Sequence, residues 1–224
     1  MLSVLNNVLT ADQVSEILAK IGGDDDFEDG RSSAGFRAKL VKDNLQMKRN
    51  APNADAIKQT VLDSLKRHPG FRTATFARSI RPIMISRYKP GMQYGFHVDD
   101  PIMGKDRYER TDVAATLFIS DPSSYDGGEL HLRGPWGTQE VKLPSGSAVV
   151  YPASTLHRVN PVTRGERIAA VTWMESFIRD PSKRELLAEL DQIRLYLHRQ
   201  ESHSDVSSLA FKTFANLMRM WAEK

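Results

Sequence analysis

The stretch YGFHVDDP, residues 94–101, sets His97 and Asp99 two positions apart among aromatic and apolar neighbours. In an extended chain residues i and i+2 project from one face, so an imidazole and a carboxylate point the same way. A carboxylate on a buried face is costly unless something positive meets it. A metal ion, an arginine or simple exposure to water would each answer that cost. Two later segments bear on the choice. SAVVYPASTLHRVNP brings His157 in just after an apolar strand, and TRGERIAAVTW supplies Arg167 ten positions further on, at the start of another. Each residue alone has an ordinary reading: His97 as a structural histidine, Asp99 as a turn residue beside Asp100, His157 as a loop cap before Pro161, Arg167 as a solvated strand end. Four independent accidents are a poor account of all of them together. Two imidazoles and one carboxylate form a facial ligand set for ferrous iron that leaves positions open for other ligands. An arginine's planar fork grips a carboxylate through two hydrogen bonds, which lysine cannot copy.

These side chains need a scaffold, and the elements can be read along the chain. TADQVSEILAKI predicts a helix with Thr10 as cap and Gln13 completing a capping box. GGDDDFEDGRSSAG is acidic and Gly/Ser-rich, a loop or a loop around a short strand, and FRAKLVKDNLQMKRN reads as an extended segment running into a loop. NADAIKQTVLDSLKRHPG predicts a helix capped by Asn53 that stops before Pro69. From Phe71 to Phe177 the runs RPIMISRY, AATLFIS, GELHLR, QEVKLP, SAVVYP and RIAAVTWMESF are β-branched or aromatic and punctuated by turn residues. Short, regularly spaced strands of this kind suggest a sandwich or double-sheet barrel. Within it Gly127 and Gly128 read as a hairpin turn after Asp126. Trp173 is in phase with Arg167 and should face the same interior, most simply as a core residue. Beyond Arg179 the helical period returns, first with Asp180 capping and Pro181 at the opening position. Its apolar stripe is Leu186, Leu187, Leu190, Ile193 and Leu197. A second helix carries Phe214, Leu217, Met218 and Trp221. The division is residues 1–178 as the β core with its supporting helices, and 179–224 as a helical appendage. That stripe packs on the barrel or meets a second copy, because so much apolar surface is unusual on a monomer. A homo-oligomer through these helices is the expectation.

Composition bounds the rest. The 224 residues are 26% charged and 40% hydrophobic, as in an ordinary globular protein. A net charge of +3 and a pI near 9.1, without any Lys/Arg run, argue against a nucleic-acid partner. The absence of cysteine excludes disulfides, thiolate ligands and cysteine nucleophiles. No apolar run reaches the roughly 18 residues that span a membrane, and MLSVLNNVLTADQ lacks the features of a secretion signal. The expectation is a cytoplasmic protein.

The segments RYKPGMQYGFHVDDPIM, RTDVAATLFISDPSSYDGGELHL and VKLPSGSAVVYPASTLHRVNPVTRGERIAAVTWMESFIRD, with DGRSSAGFRAKLVKDNLQM upstream, resemble the prolyl-4-hydroxylase-like iron/2-oxoglutarate dioxygenases, and most closely the bacterial PKHD-type hydroxylases. The likeness spans nearly the whole chain. It implies a double-stranded β-helix (jelly-roll) core, Fe(II), 2-oxoglutarate and O2 as cosubstrates, and ascorbate as supporting reductant. Carried over residue by residue, His97, Asp99 and His157 match the iron ligands and Arg167 the residue that grips the distal carboxylate of 2-oxoglutarate. Tyr88 matches a tyrosine whose hydroxyl meets the same cosubstrate. One departure is Ala114 and Ala115, where a small hydroxyl residue is expected; it bears on packing or substrate fit. The family name implies a peptidyl proline or lysine as substrate, and a small molecule tied to iron uptake is an equal alternative. Two rival classes are a cupin-like metal-binding module without oxygenase activity and a structural interaction domain. The first has no use for Arg167 at its spacing, and the second would work through the C-terminal helices.

Overall fold

The computed structural model describes residues 2–104, 108–135 and 137–223. Two β-sheets face each other. The larger runs in the order Ser3–Leu5, Ala148–Pro152, Val113–Phe118, Arg167–Ser176, Met84–Tyr88, Leu45–Met47, Phe27–Asp29, with Ala77–Ile80 also paired to the long strand Arg167–Ser176. The smaller runs Gly137–Val141, Leu130–Gly134, Leu156–Val159, Gln93–His97, Lys42–Asp43. All of these pairings are antiparallel. Mostly β, with helices at both ends, this is the jelly-roll architecture.

The long strand shows why the larger sheet reads as nearly continuous apolar sequence. Ile168, Ala170 and Met174 join the core under the helices, while Trp173 packs with the cluster between the sheets. A sheet covered on both faces buries both parities of its side chains. The outer cover is α1 (Ala11–Lys20), α2 (Ala54–Arg67) and α3 (Pro69–Thr75). Ile17, Ile57, Val61, Leu65 and Phe71 meet Ile85, Leu117 and Val150 there. Thr10 and Gln13 form the expected reciprocal capping box. Two details differ from the expectation. Asn53 makes no capping bond to its own helix and instead donates to the Lys20 carbonyl, tying α2 to α1. α2 does stop before Pro69, at Arg67, but Pro69 then opens α3 where the sequence reads as strands from Phe71 onward, since a proline at the first helical position sacrifices no hydrogen bond.

The C-terminal helices α4 (Pro181–Glu201) and α5 (Asp205–Trp221) pack on each other and α4 also meets α3. Asp180 caps α4 as the sequence indicates. Its inward face takes only part of the leucine stripe. Arg184, Leu187, Ala188 and Asp191 are buried, while Leu186 and Ile193 stay 55% and 53% exposed. Polar anchors fix that rotation. Arg184 donates to the carbonyls of Ile178 and Arg179, and Asp191 accepts from Thr73 of α3. Across α4 and α5, Arg194 lies over the rings of Phe211 and Phe214, and Lys183 over Trp221. Among the described residues no helix is long and apolar enough to cross a membrane.

Candidate active site

Gln93–His97 and Leu156–Val159 are neighbours in the smaller sheet, and their register sets His97 opposite His157. Asp99 follows two residues beyond the strand end. The three side chains each offer a ligand atom, and these atoms lie within 4.8 Å of one another. His157 Nε2 is 3.8 Å from Asp99 Oδ1, and the two imidazole centroids are 4.2 Å apart. Both rings are oriented in the same way. Nδ1 of His97 is 2.8 Å from the Gly95 carbonyl, and Nδ1 of His157 is 2.8 Å from the Thr155 carbonyl. A carbonyl only accepts, so Nδ1 carries the proton in each ring, and the Nε2 lone pairs are left for a metal. Tyr94 stacks on His97 with centroids 3.5 Å apart, and Tyr151 meets His157 edge-on. The ring planes are thereby held.

Electrostatics fit a cation here. Burial, reinforced by His157, pushes the His97 imidazolium down to about 3, so the ring stays neutral. Burial also raises the Asp99 carboxyl above its usual range, against the pull of His157 and the Trp173 indole. Asp99 Oδ2 and Trp173 Nε1 both lack a hydrogen-bond partner, so the indole's approach falls short of a full bond. A buried carboxylate with a free oxygen beside two imidazoles is the donor set of a divalent cation, whose charge would reverse the cost of ionising Asp99.

Arg167 begins the long strand of the facing sheet, in register with Tyr88. Its guanidinium is buried, 5.2 Å from the Tyr88 ring centroid and 5.4 Å from that of Phe118. It forms no ion pair among the described residues, and Nε has no hydrogen-bond partner. An unpaired buried guanidinium requires an anion. Gly128 makes room for it. A Cβ there would lie 2.9 Å from Arg167 Cδ, and its φ of +67° is a left-handed value that glycine adopts without strain. Gly127 and Gly128 therefore do not form the expected hairpin. Asp126–Gly127 pairs with Val162–Arg164 across a bulge, and the chain passes on into Leu130–Gly134.

The structure thus gathers His97, Asp99 and His157 at one spot and sets Tyr88 beside Arg167. It also adds residues that sequence reasoning missed. Tyr125 is fully buried near Arg167, and Lys42 enters the chamber from the edge strand, while Trp173, expected to face this interior as a core residue, points its indole at Asp99. The signal for Lys42 lay in VKDNLQM, where polar Lys42, Asn44 and Gln46 alternate with apolar Val41, Leu45 and Met47. Burial pushes the Lys42 ammonium down to about 8, against the pull of Asp99 and Asp29. At pH 7 the ammonium is charged in both folded and unfolded chains, so its desolvation weighs on the fold. Above about pH 8 the folded state sheds the proton first, and the penalty fades towards pH 10.5. Lys42→Met should therefore raise the melting temperature of the metal-free protein at pH 7, by up to about 3 kcal/mol of stability. The gain should vanish by about pH 10.5. A difference that stays flat over this range would show that the buried charge is already compensated.

The fold and the donor set define a class, and comparison with known proteins agrees. Residues 83–175 match the family model of the 2OG-Fe(II) oxygenase superfamily. The chain is 43% identical to a PKHD-type hydroxylase of Synechococcus elongatus and 44% identical to one of Maricaulis maris, with the whole of each chain covered. It belongs to the PKHD-type hydroxylases, and so is a 2-oxoglutarate-dependent dioxygenase. Among solved structures, a Pseudomonas putida prolyl-4-hydroxylase aligns at TM-score 0.53 and 20% identity, over 78% of this chain and 92% of that one. A Trichoplax adhaerens prolyl hydroxylase aligns at TM-score 0.56 and 16% identity, over 77% and 82%. At these identities the likeness concerns the fold.

Proposed function

We propose that the protein couples decarboxylation of 2-oxoglutarate to succinate with hydroxylation of a second substrate. The observation that carries this reading is the pairing of two buried sites between the sheets: a His97–Asp99–His157 donor set and an arginine without a counter-ion. In this reading His97 and His157 hold iron through Nε2 and Asp99 through a carboxylate oxygen. Arg167 takes the distal carboxylate of 2-oxoglutarate, with the Tyr88 hydroxyl beside it. Iron, when bound, supplies the redox chemistry that activates dioxygen. The protein's share is orientation and exclusion of water. The Gly95 and Thr155 carbonyls hold both imidazoles in the metal-binding tautomer, Tyr94 and Tyr151 wall the rings, and the buried Arg167 fixes the cosubstrate by charge-assisted bonds. A metal-holding module without oxygenase chemistry would have no use for that buried guanidinium. Ascorbate serves as the supporting reductant, and the substrate is a peptidyl side chain or a small molecule, including one tied to iron uptake.

The test is incubation of cell extract with enzyme, Fe(II), 2-oxoglutarate, O2 and ascorbate. Succinate should accumulate together with a product heavier by one oxygen atom. Oxygen gain without 2-oxoglutarate consumption would rule out the coupling.

We also propose self-association through α4 and α5, supported by the exposed Leu186 and Ile193 on one face and Leu209 and Met220 nearby in sequence on α5. Light scattering should give a mass above the 25.2 kDa chain, restored to one chain by Leu186→Glu with Ile193→Glu. A monomeric wild type would end this idea.

A further inference from the structure

Residues 42–47 cross from the edge strand of the smaller sheet, Lys42–Asp43, into Leu45–Met47 of the larger one. Leu45 and Met47 pack with the core under the helices, whereas three polar side chains of this segment turn into the space between the sheets, against Ser33, Tyr88 and Tyr94. These are Lys42, Asn44 and Gln46, only 5%, 2% and 6% exposed. Both amide atoms of Asn44 and Nε2 of Gln46 have no hydrogen-bond partner. Unpartnered polar atoms at that depth cost stability unless a ligand meets them. Asn44 stands against the Tyr88 hydroxyl, hence on the Arg167 side of the chamber. Lys42 is at the other end, with Nζ 5.1 Å from the centroid of Tyr94, the ring that stacks on His97. Its hydrogen bond goes to Ser33 Oγ at 3.1 Å, and that hydroxyl is itself held by Gln46 Oε1 at 2.7 Å and the Gly30 carbonyl at 3.0 Å. No carboxylate forms an ion pair with Lys42 among the described residues.

The charges of the loaded site balance without Lys42. A divalent metal with Asp99, and Arg167 with doubly negative 2-oxoglutarate, sum to zero. Lys42 adds a buried cation for which these partners leave no counter-charge. We propose that Lys42 binds a carboxylate on the primary substrate, so that the substrate class is a carboxylic acid whose acid group sits close to the carbon that is oxidised. This rests on the iron/2-oxoglutarate reading above. The position of Lys42 at the metal end of the chamber, next to the Tyr94–His97 stack, favours the molecule being oxidised over the distal end of the cosubstrate, which has Arg167.

The experiment uses the full chain loaded with Mn(II) and saturating 2-oxoglutarate, so that ligands bind without turnover. Four probes are titrated as acid–amide pairs: N-acetylglycine against N-acetylglycinamide for a main-chain carboxylate, and N-acetylglutamate α-amide against N-acetylglutamine α-amide for a side-chain one. At least one acid should bind about tenfold or more tightly than its amide, the worth of a charge-assisted hydrogen bond. Lys42→Met should erase the preference, and Lys42→Arg should keep part of it. The half-saturating 2-oxoglutarate concentration, read anaerobically with Fe(II) from the charge-transfer band, should stay within about twofold in Lys42→Met, which also shows that the variant is folded. Absence of any acid preference, or a preference that survives Lys42→Met, overturns the proposal. A tenfold rise in the 2-oxoglutarate requirement would do so too, by assigning Lys42 to the cosubstrate. Failure of the wild type to bind Fe(II) and 2-oxoglutarate together would instead remove the underlying reading.

Discussion

Asp99→Ala should abolish Fe(II)-dependent succinate formation and leave the fold intact. Asp99 is the sole anionic member of the donor set, and its free oxygen makes no hydrogen bond that the fold depends on. Changes to residues that merely orient metal ligands cost about 10- to 100-fold, and loss of a ligand should cost more. His97→Ala and His157→Ala should behave alike in activity. They also remove rings that pack against Tyr94 and Tyr151, so their melting temperatures should fall further than that of Asp99→Ala. Succinate production near the wild-type rate in any of the three would remove that residue from the metal centre.

Arg167→Ala should raise the 2-oxoglutarate requirement by about one to two orders of magnitude, the equivalent of a charge-assisted bond of roughly 1.5–3 kcal/mol. Iron binding should change little, because Arg167 belongs to the facing sheet and touches none of the three ligands in any hydrogen bond or ion pair. The alanine also opens a void between Tyr88, Phe118 and Gly128. Arg167→Met fills that space without the charge and separates the two effects. Lys at this position should rescue only in part, as a point charge in place of a fork. If cosubstrate affinity is unchanged in Arg167→Met, the arginine is a packing residue.

Much of this site is legible from strand periodicity. His97 and Asp99 share a face by the two-residue repeat, and the phase of Arg167 with Trp173 places the indole in the same chamber. What the repeat does not reveal is which strands become neighbours. The register of His97 against His157 and of Tyr88 against Arg167 comes from long-range pairing, which local sequence does not encode. Lys42 was hidden for a related reason. Its strand is only two residues long, and a lysine in a short edge segment ordinarily reads as solvent-facing. In α4 the anchors Arg184 and Asp191 fix which part of the wide apolar stripe turns inward, burying Leu187 and leaving Leu186 and Ile193 exposed. Pro69 marks the end of α2 correctly but hides the start of α3, because proline both ends helices and begins them.

The central claim is that one chamber binds iron and 2-oxoglutarate together, through the His97–Asp99–His157 set and Arg167. Anaerobic titration of the metal-free protein with Fe(II) and then 2-oxoglutarate tests it directly, by visible absorption. The account predicts a metal-to-ligand charge-transfer band that appears only when both are present, is lost in Asp99→Ala, and needs far more 2-oxoglutarate in Arg167→Met. A wild-type protein that gives no band with both present, or a band undiminished in Asp99→Ala, would contradict it.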